Sequence, residues 1–160
     1  MPTTTETTLE EQIARMDRAA DDYAAAVAGV PQAALVRRPD DKNWCALEIV
    51  CHVRDTDEVF LDRIQLVVAV DEPPFFPSDP DRWAQERQYL RSEVSEALAA
   101  FRARRLDTVR VLRGLSPAQL ERGGVHATRG RMTVRDIVGI MAWHDDNHLD
   151  QLRRALAGQA

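Results

Sequence analysis

Apolar and small residues recur by threes and fours along most of the chain, the period of one face of a helix. The first such stripe is Leu9, Ile13, Met16, Ala20, Tyr23, Val27 and Val30. Thr8 followed by Glu11 is a capping-box pattern at its start, and Gly29 with Pro31 punctuates its end, which predicts a helix from about Leu9 to Gly29. Pro31 to Asn43 carries two prolines and the run Arg37-Arg38-Pro39-Asp40-Asp41-Lys42, and reads as a connection with at most one short helical turn.

A second stripe, Ile49, His52, Val59, Phe60, Ile64 and Val67, predicts a helix from about Trp44 to Val70. Cys45 stands where a serine or threonine cap belongs, with Glu48 at the reciprocal position. Cysteine caps weakly, so the expectation is a frayed first turn. Asp71 to Pro80 holds four prolines in ten residues and must be a loop. Asp79 and Pro80 then open a third helix. It carries Trp83, Tyr89, Val94, Leu98, Phe101, Leu106, Val109 and Leu112 to a stop at Gly114, with a break near Arg91-Ser92. Ser116 to Gln119 makes a short helical turn, and Gly123 to Gly130 reads as a flexible loop. Thr133 and Asp136 cap a last helix of about 24 residues, or about 36 Å.

There is no alternating strand pattern, internal repeat or glycine-rich phosphate loop. The expected fold is therefore all-α: a four-helix bundle in a single domain over residues 9–160, preceded by a flexible segment over residues 1–8. A chain of 160 residues is long enough to bury a core without disulfides. Its two cysteines, Cys45 and Cys51, fall on one predicted helix at a spacing that does not suit a disulfide, so both are expected as free thiols. No run approaches the roughly 18 apolar residues of a membrane span, and residues 1–8 lack the pattern of a secretory signal, which makes a cytoplasmic location the default. A net charge of −5 argues against nucleic acid as a partner, and Arg102-Ala103-Arg104-Arg105 reads as a solvated helix face.

Chemistry concentrates in the last helix. His144 and His148 stand four residues apart, which on a helix puts their Cβ atoms roughly 5–6 Å apart on one face. That face continues through Ile137, Met141, Leu152 and Ala155, so the pair projects toward a core. His52, in line with Ile49 and Val59, can face inward from the second helix and supply a third nitrogen. Three neutral imidazoles suit zinc, nickel or copper better than magnesium or calcium. His126, in the glycine-flanked loop, reads as a surface residue. Asp145 and Glu48, then Asp146 and Asp55, are the candidate carboxylates for accepting a ligand imidazole's other N–H, with Asp145 favoured. The zincin motif His-Glu-x-x-His is not matched, since Asp145 holds the glutamate position and no strand-rich domain presents a peptide.

Trp44-x-x-x-Glu48-x-x-x-His52, Gly130-x-x-Thr133 and His144-Asp145-x-x-His148-x-x-Gln151, in that order, resemble the DinB-like superfamily of bacterial four-helix bundles, also called DinB/YfiT-like metalloenzymes. The resemblance runs from about Leu9 to Leu156, with Cys45 departing from the serine or threonine common in relatives. It implies a bundle running up-down-down-up with a long crossover between helices two and three, and a zinc or nickel site carried onto His52, His144 and His148. It also implies frequent homodimers. Some members are thiol-dependent transferases or isomerases using a low-molecular-weight bacterial thiol. The expected activity is that of a metal-dependent thiol S-transferase, or a related metal-dependent hydrolase, acting on a small molecule. A non-catalytic metal-binding or stress-related module is the alternative. No protein nucleophile is expected, and Cys51, about 100° around the helix from His52, reads as packing. Trp83, Phe75 and Phe76 offer apolar surface for a homodimer.

Overall fold

The computed structural model describes residues 7–160; most of the flexible segment expected over residues 1–8 lies outside them. Four long helices carry the architecture: α1 (Leu9–Val27), α3 (Ala46–Ala69), α5 (Val94–Arg113) and α7 (Val134–Leu156). Short helices α2 (Gln32–Leu35), α4 (Pro80–Glu86) and α6 (Pro117–Leu120) lie in the connections. Helices α1 and α3 each pack on both α5 and α7, so α1 sits diagonally across the bundle from α3, and α5 from α7. No helix among the described residues is long and apolar enough to cross a membrane.

The caps explain the boundaries. Thr8 accepts from the Glu11 amide while Glu11 accepts from that of Thr8, and Thr133 and Asp136 do the same for α7. The start of α3 is not frayed as cysteine at the cap suggested. Glu48 accepts from the Cys45 amide, and Arg38 grips the same carboxylate with two bonds of 2.8 and 2.6 Å, locking the first turn in a buried setting.

The expectation of a fold without strands is corrected. A three-stranded sheet forms from β1 (Pro74–Phe75), β2 (Gly123–His126) and β3 (Gly130–Thr133), with β1 parallel and β3 antiparallel to β2. The stretch read as a flexible loop is thus a hairpin. Its strands are too short and too rich in glycine to show an alternating pattern. Gly124 is there because nothing larger fits: a Cβ would lie 2.4 Å from the Phe75 ring and 2.7 Å from the Pro73 carbonyl oxygen.

The third helix breaks more fully than expected. Between α4 and α5, Gln88 adopts φ 50° and Tyr89–Arg91 form a single 3-10 turn. Asp55 of α3 anchors this break, accepting from Tyr89 Oη at 2.7 Å, Arg87 at 2.8 Å and Arg54 at 2.8 Å, with Arg104 of α5 at 3.7 Å. Burial alone would raise its carboxyl, but the bonds from Arg54, Tyr89 and Arg87 outweigh it and hold the group below the usual aspartate range. A depressed carboxyl stabilises the fold above its unfolded pKa of about 3.9 and loses that contribution as pH falls through the folded value. Asp55→Asn is therefore expected to flatten the acid limb of a stability-against-pH curve below about pH 4, measured by urea unfolding; an unchanged limb would refute this role.

The Arg102–Arg105 face is not wholly solvated. Arg105 is 3% exposed, and its guanidinium reaches Asp57 of α3, Asp145 of α7 and the Met16 carbonyl of α1, so one side chain of α5 touches the other three long helices. Its neighbour Leu106, expected in the core, is 51% exposed.

Candidate metal centre

His52 comes from the second turn of α3, and His144 and His148 from the second half of α7, where the two helices pack together. The His52 Nε2 lies 3.1 Å from the Nε2 of His144 and 3.1 Å from that of His148. One ligand atom from each of the three histidines lies within 4.8 Å of the others. Nitrogens sharing one tetrahedral zinc at about 2.0–2.1 Å would stand roughly 3.3 Å apart, so the spacing fits a common ion.

Protonation fits as well. Gln151 Oε1 accepts from His148 Nδ1 at 2.7 Å, which leaves the His148 Nε2 as a lone pair. Thr56 Oγ1 stands 3.3 Å from His52 Nδ1. Burial, then the neighbouring His148, pushes His52 down to about 3, and burial, then His148 and His52, pushes His144 down to about 2. Burial also lowers His148. The imidazoles are therefore neutral at pH 7, with lone pairs converging, and a cation relieves that arrangement.

The carboxylates proposed to orient the imidazoles are placed elsewhere. Asp145 faces away from the trio onto Arg105, with bonds of 2.6 and 2.9 Å. Burial raises its carboxyl to about 6 and also raises Asp57, while the shared Arg105 guanidinium pulls both the other way. Glu48 is held by Arg38, Asp55 by its arginines and Tyr89, and Asp146 by Arg15. Thr56 and Gln151 take the orienting role instead; Gln151 was visible in the sequence as the end of the last motif, one turn beyond His148.

The trio lines a cleft of about 420 Å³, walled by Trp44, Phe60 and Trp143, by Pro77 and Ser78 between β1 and α4, by Pro80 at the start of α4, and by residues of the hairpin. His126 is corrected here: it is 8% exposed and lines this cleft. Its Nδ1 accepts from the amides of Thr128 at 3.1 Å and Arg129 at 3.3 Å, so Nε2 carries the proton. It stands apart from the converging trio. Cys45 and Cys51 are free thiols, as expected, and both are fully buried.

Among known proteins, OB0782 of Oceanobacillus iheyensis, a metal-dependent hydrolase candidate by name, is 30% identical over 108 residues, covering 67% of this chain and 62% of the relative. YfiT of Bacillus subtilis, named in the same way, is 24% identical over 110 residues, covering 68% of this chain and 62% of YfiT. The matched region thus spans under two thirds of either relative. The solved YfiT structure, described as having an unusual four-helix bundle topology, superposes with a TM-score of 0.87 at 21% identity, covering 100% of this chain and 93% of that one. A mycothiol-dependent maleylpyruvate isomerase shares the fold, with a TM-score of 0.75 at 13% identity over 95% of this chain and 63% of its own. The family model of the DinB superfamily matches residues 15–152, which include all three histidines of the trio, and the chain belongs to that superfamily.

Proposed function

We propose that the protein is a metal-dependent enzyme that directs a low-molecular-weight thiol at a small electrophile, using zinc or nickel held by His52, His144 and His148. The observation that carries this over a purely structural ion is that the three imidazoles line a cleft, with no fourth protein ligand in the cluster among the described residues. When bound, the ion would lower the pKa of a thiol or water and act as a Lewis acid. The chain's residues do the rest. Gln151 and Thr56 orient two of the imidazoles, and Trp44, Phe60 and Trp143 give the substrate an apolar wall that limits water. Neither cysteine suits the role of nucleophile: burial raises both thiols, Cys45 to about 11, so the sulfur would arrive with a cosubstrate.

The fold-level likeness to a mycothiol-dependent isomerase agrees with a thiol cosubstrate. The names of the sequence relatives favour a second reading, in which water takes the place of the thiol. Release of p-nitrophenol from p-nitrophenyl acetate by metal-loaded protein, with and without a panel of small thiols, separates them. Thioester formation that needs both thiol and metal is expected; release that ignores the thiol would favour the hydrolase. No turnover with metal retained would leave the non-catalytic metal-binding module.

The same reading includes the up-down-down-up course. Arg113, at the end of α5, meets Glu10 at the start of α1, while Arg102 meets Asp21, which supports antiparallel packing of these two helices. It also includes a twofold homodimer. Phe75 is buried and Trp83 lies under Arg87, so the aromatic surface left for a partner is Phe76, 77% exposed, and Trp143, 62% exposed. Twice the chain mass in light scattering is the expected outcome.

A further inference from the structure

The chain carries 26 acidic residues and a net charge of −5, yet no aspartate or glutamate lines the cleft that holds the histidine trio. Two arginines do, Arg63 from α3 and Arg129 from the β2–β3 turn. Elsewhere on the hairpin arginines are paired, Arg122, just before β2, with Asp71 and Arg131 of β3 with Glu72. Among the described residues neither Arg63 nor Arg129 has such a carboxylate. The Arg63 guanidinium bonds the Phe76 carbonyl at 2.7 Å and lies 5.4 Å from the Phe75 ring centroid, which fixes its position without neutralising it. Burial, and after it the charge of Arg129, makes Arg63 easier to deprotonate than a free arginine. The same two arginines, after burial, hold His126 neutral, and its Nδ1 is spent on the turn, so the ring can offer only an N–H donor.

The geometry points to an oxyanion subsite, in which Arg63, Arg129 and the Nε2–H of His126 receive a carboxylate or phosphate group of a substrate or cosubstrate whose reacting end lies toward the histidine trio. The three groups are donors only, and an anion is what completes them. Like-charged guanidiniums held in one cleft oppose each other until a ligand of opposite sign enters, and the absence of competing carboxylates keeps the local potential positive on an acidic protein. The inference rests on the proposed function for where the reacting end goes. The anion contacts themselves need no metal, which makes the two separable.

Metal-free protein is titrated with succinate, with inorganic phosphate and with neutral succinamide, following the fluorescence of Trp44 and Trp143, which line the same cleft. Saturable binding of an anion with no response to succinamide is expected; succinate or phosphate binding the more tightly identifies the group as carboxylate or phosphate. Arg129→Gln and Arg63→Met should each weaken the anion by about tenfold or more. Arg129 is exposed and bears no ion pair, so its variant tests the site without disturbing the fold. Metal content after loading should match wild type in both variants; wild type that binds the anion but retains no metal after loading would overturn the metal site and leave this subsite standing. Equal responses to succinate and succinamide, or undiminished anion binding by Arg129→Gln and Arg63→Met together, would overturn the subsite.

Discussion

His148→Ala is expected to abolish tight binding of a transition metal, whereas His126→Ala leaves it intact. Wild-type protein incubated with zinc or nickel and then dialysed should retain about one ion per chain, because three neutral imidazoles converge. Removing His148 leaves two ligands and an open shell, so the retained metal should fall to near zero by elemental analysis. His126 belongs to the cleft but not to the converging trio, and its Nδ1 is already occupied by the turn. Gln151→Leu should lie between, weakening affinity by about 10–100-fold, since it frees the His148 ring without deleting it. The stabilisation that metal gives wild type, about 2.7 kcal/mol at a hundred times Kd, should vanish in His148→Ala, and with it the rise in Tm. Wild-type metal that stays far below one per chain after loading would remove the ligand assignment, and metal lost from His126→Ala would show that the hairpin does more than line the cleft.

The other large effect is on stability. Arg105→Met should cost about 3–5 kcal/mol in urea unfolding, because it leaves Asp57 and Asp145 buried without their shared cation. Arg102→Met, three residues away, breaks an exposed pair with Asp21 and should cost no more than about 1 kcal/mol. Similar losses in the two variants would mean that the buried cluster contributes no more than a surface ion pair.

The long helices were legible because α1, α5, α7 and the second half of α3 each bury one stripe, and a stripe at helical period is written in the order of residues. Thr8, Asp79, Ser116 and Thr133 announced their helix starts, and each side chain accepts the expected backbone bond. The trio was legible for the same reason: the spacing of four between His144 and His148 is a local fact. What was not legible depends on partners distant in the chain. Arg105 looked like part of a solvated run, since nothing near it in sequence shows that Asp57 and Asp145 wait inside the bundle. The carboxylate of Asp145, adjacent to a ligand, was for that reason assigned to the wrong neighbour. His126 and Arg129 sit on a hairpin whose strands owe their pairing to Phe75 and Pro73, some fifty residues earlier, and a four-residue strand holding two glycines gives no period to read.

The separation of the ligands along the chain bears on the order of events during synthesis. His52 stands 92 residues before His144, so closing the trio joins the second long helix to the last. A chain emerging from the ribosome with α1, α3 and α5 complete carries only one of the three nitrogens and has no chelate to offer. Folding of α7 then supplies two ligands at once, four residues apart, as a local pair that forms with the helix itself. On the proposed ligand assignment, full metal capture would have to wait for α7 to be made and to meet α3. An ion held by the trio would close a loop of more than ninety residues, a constraint opposing the escape of the last helix from the bundle.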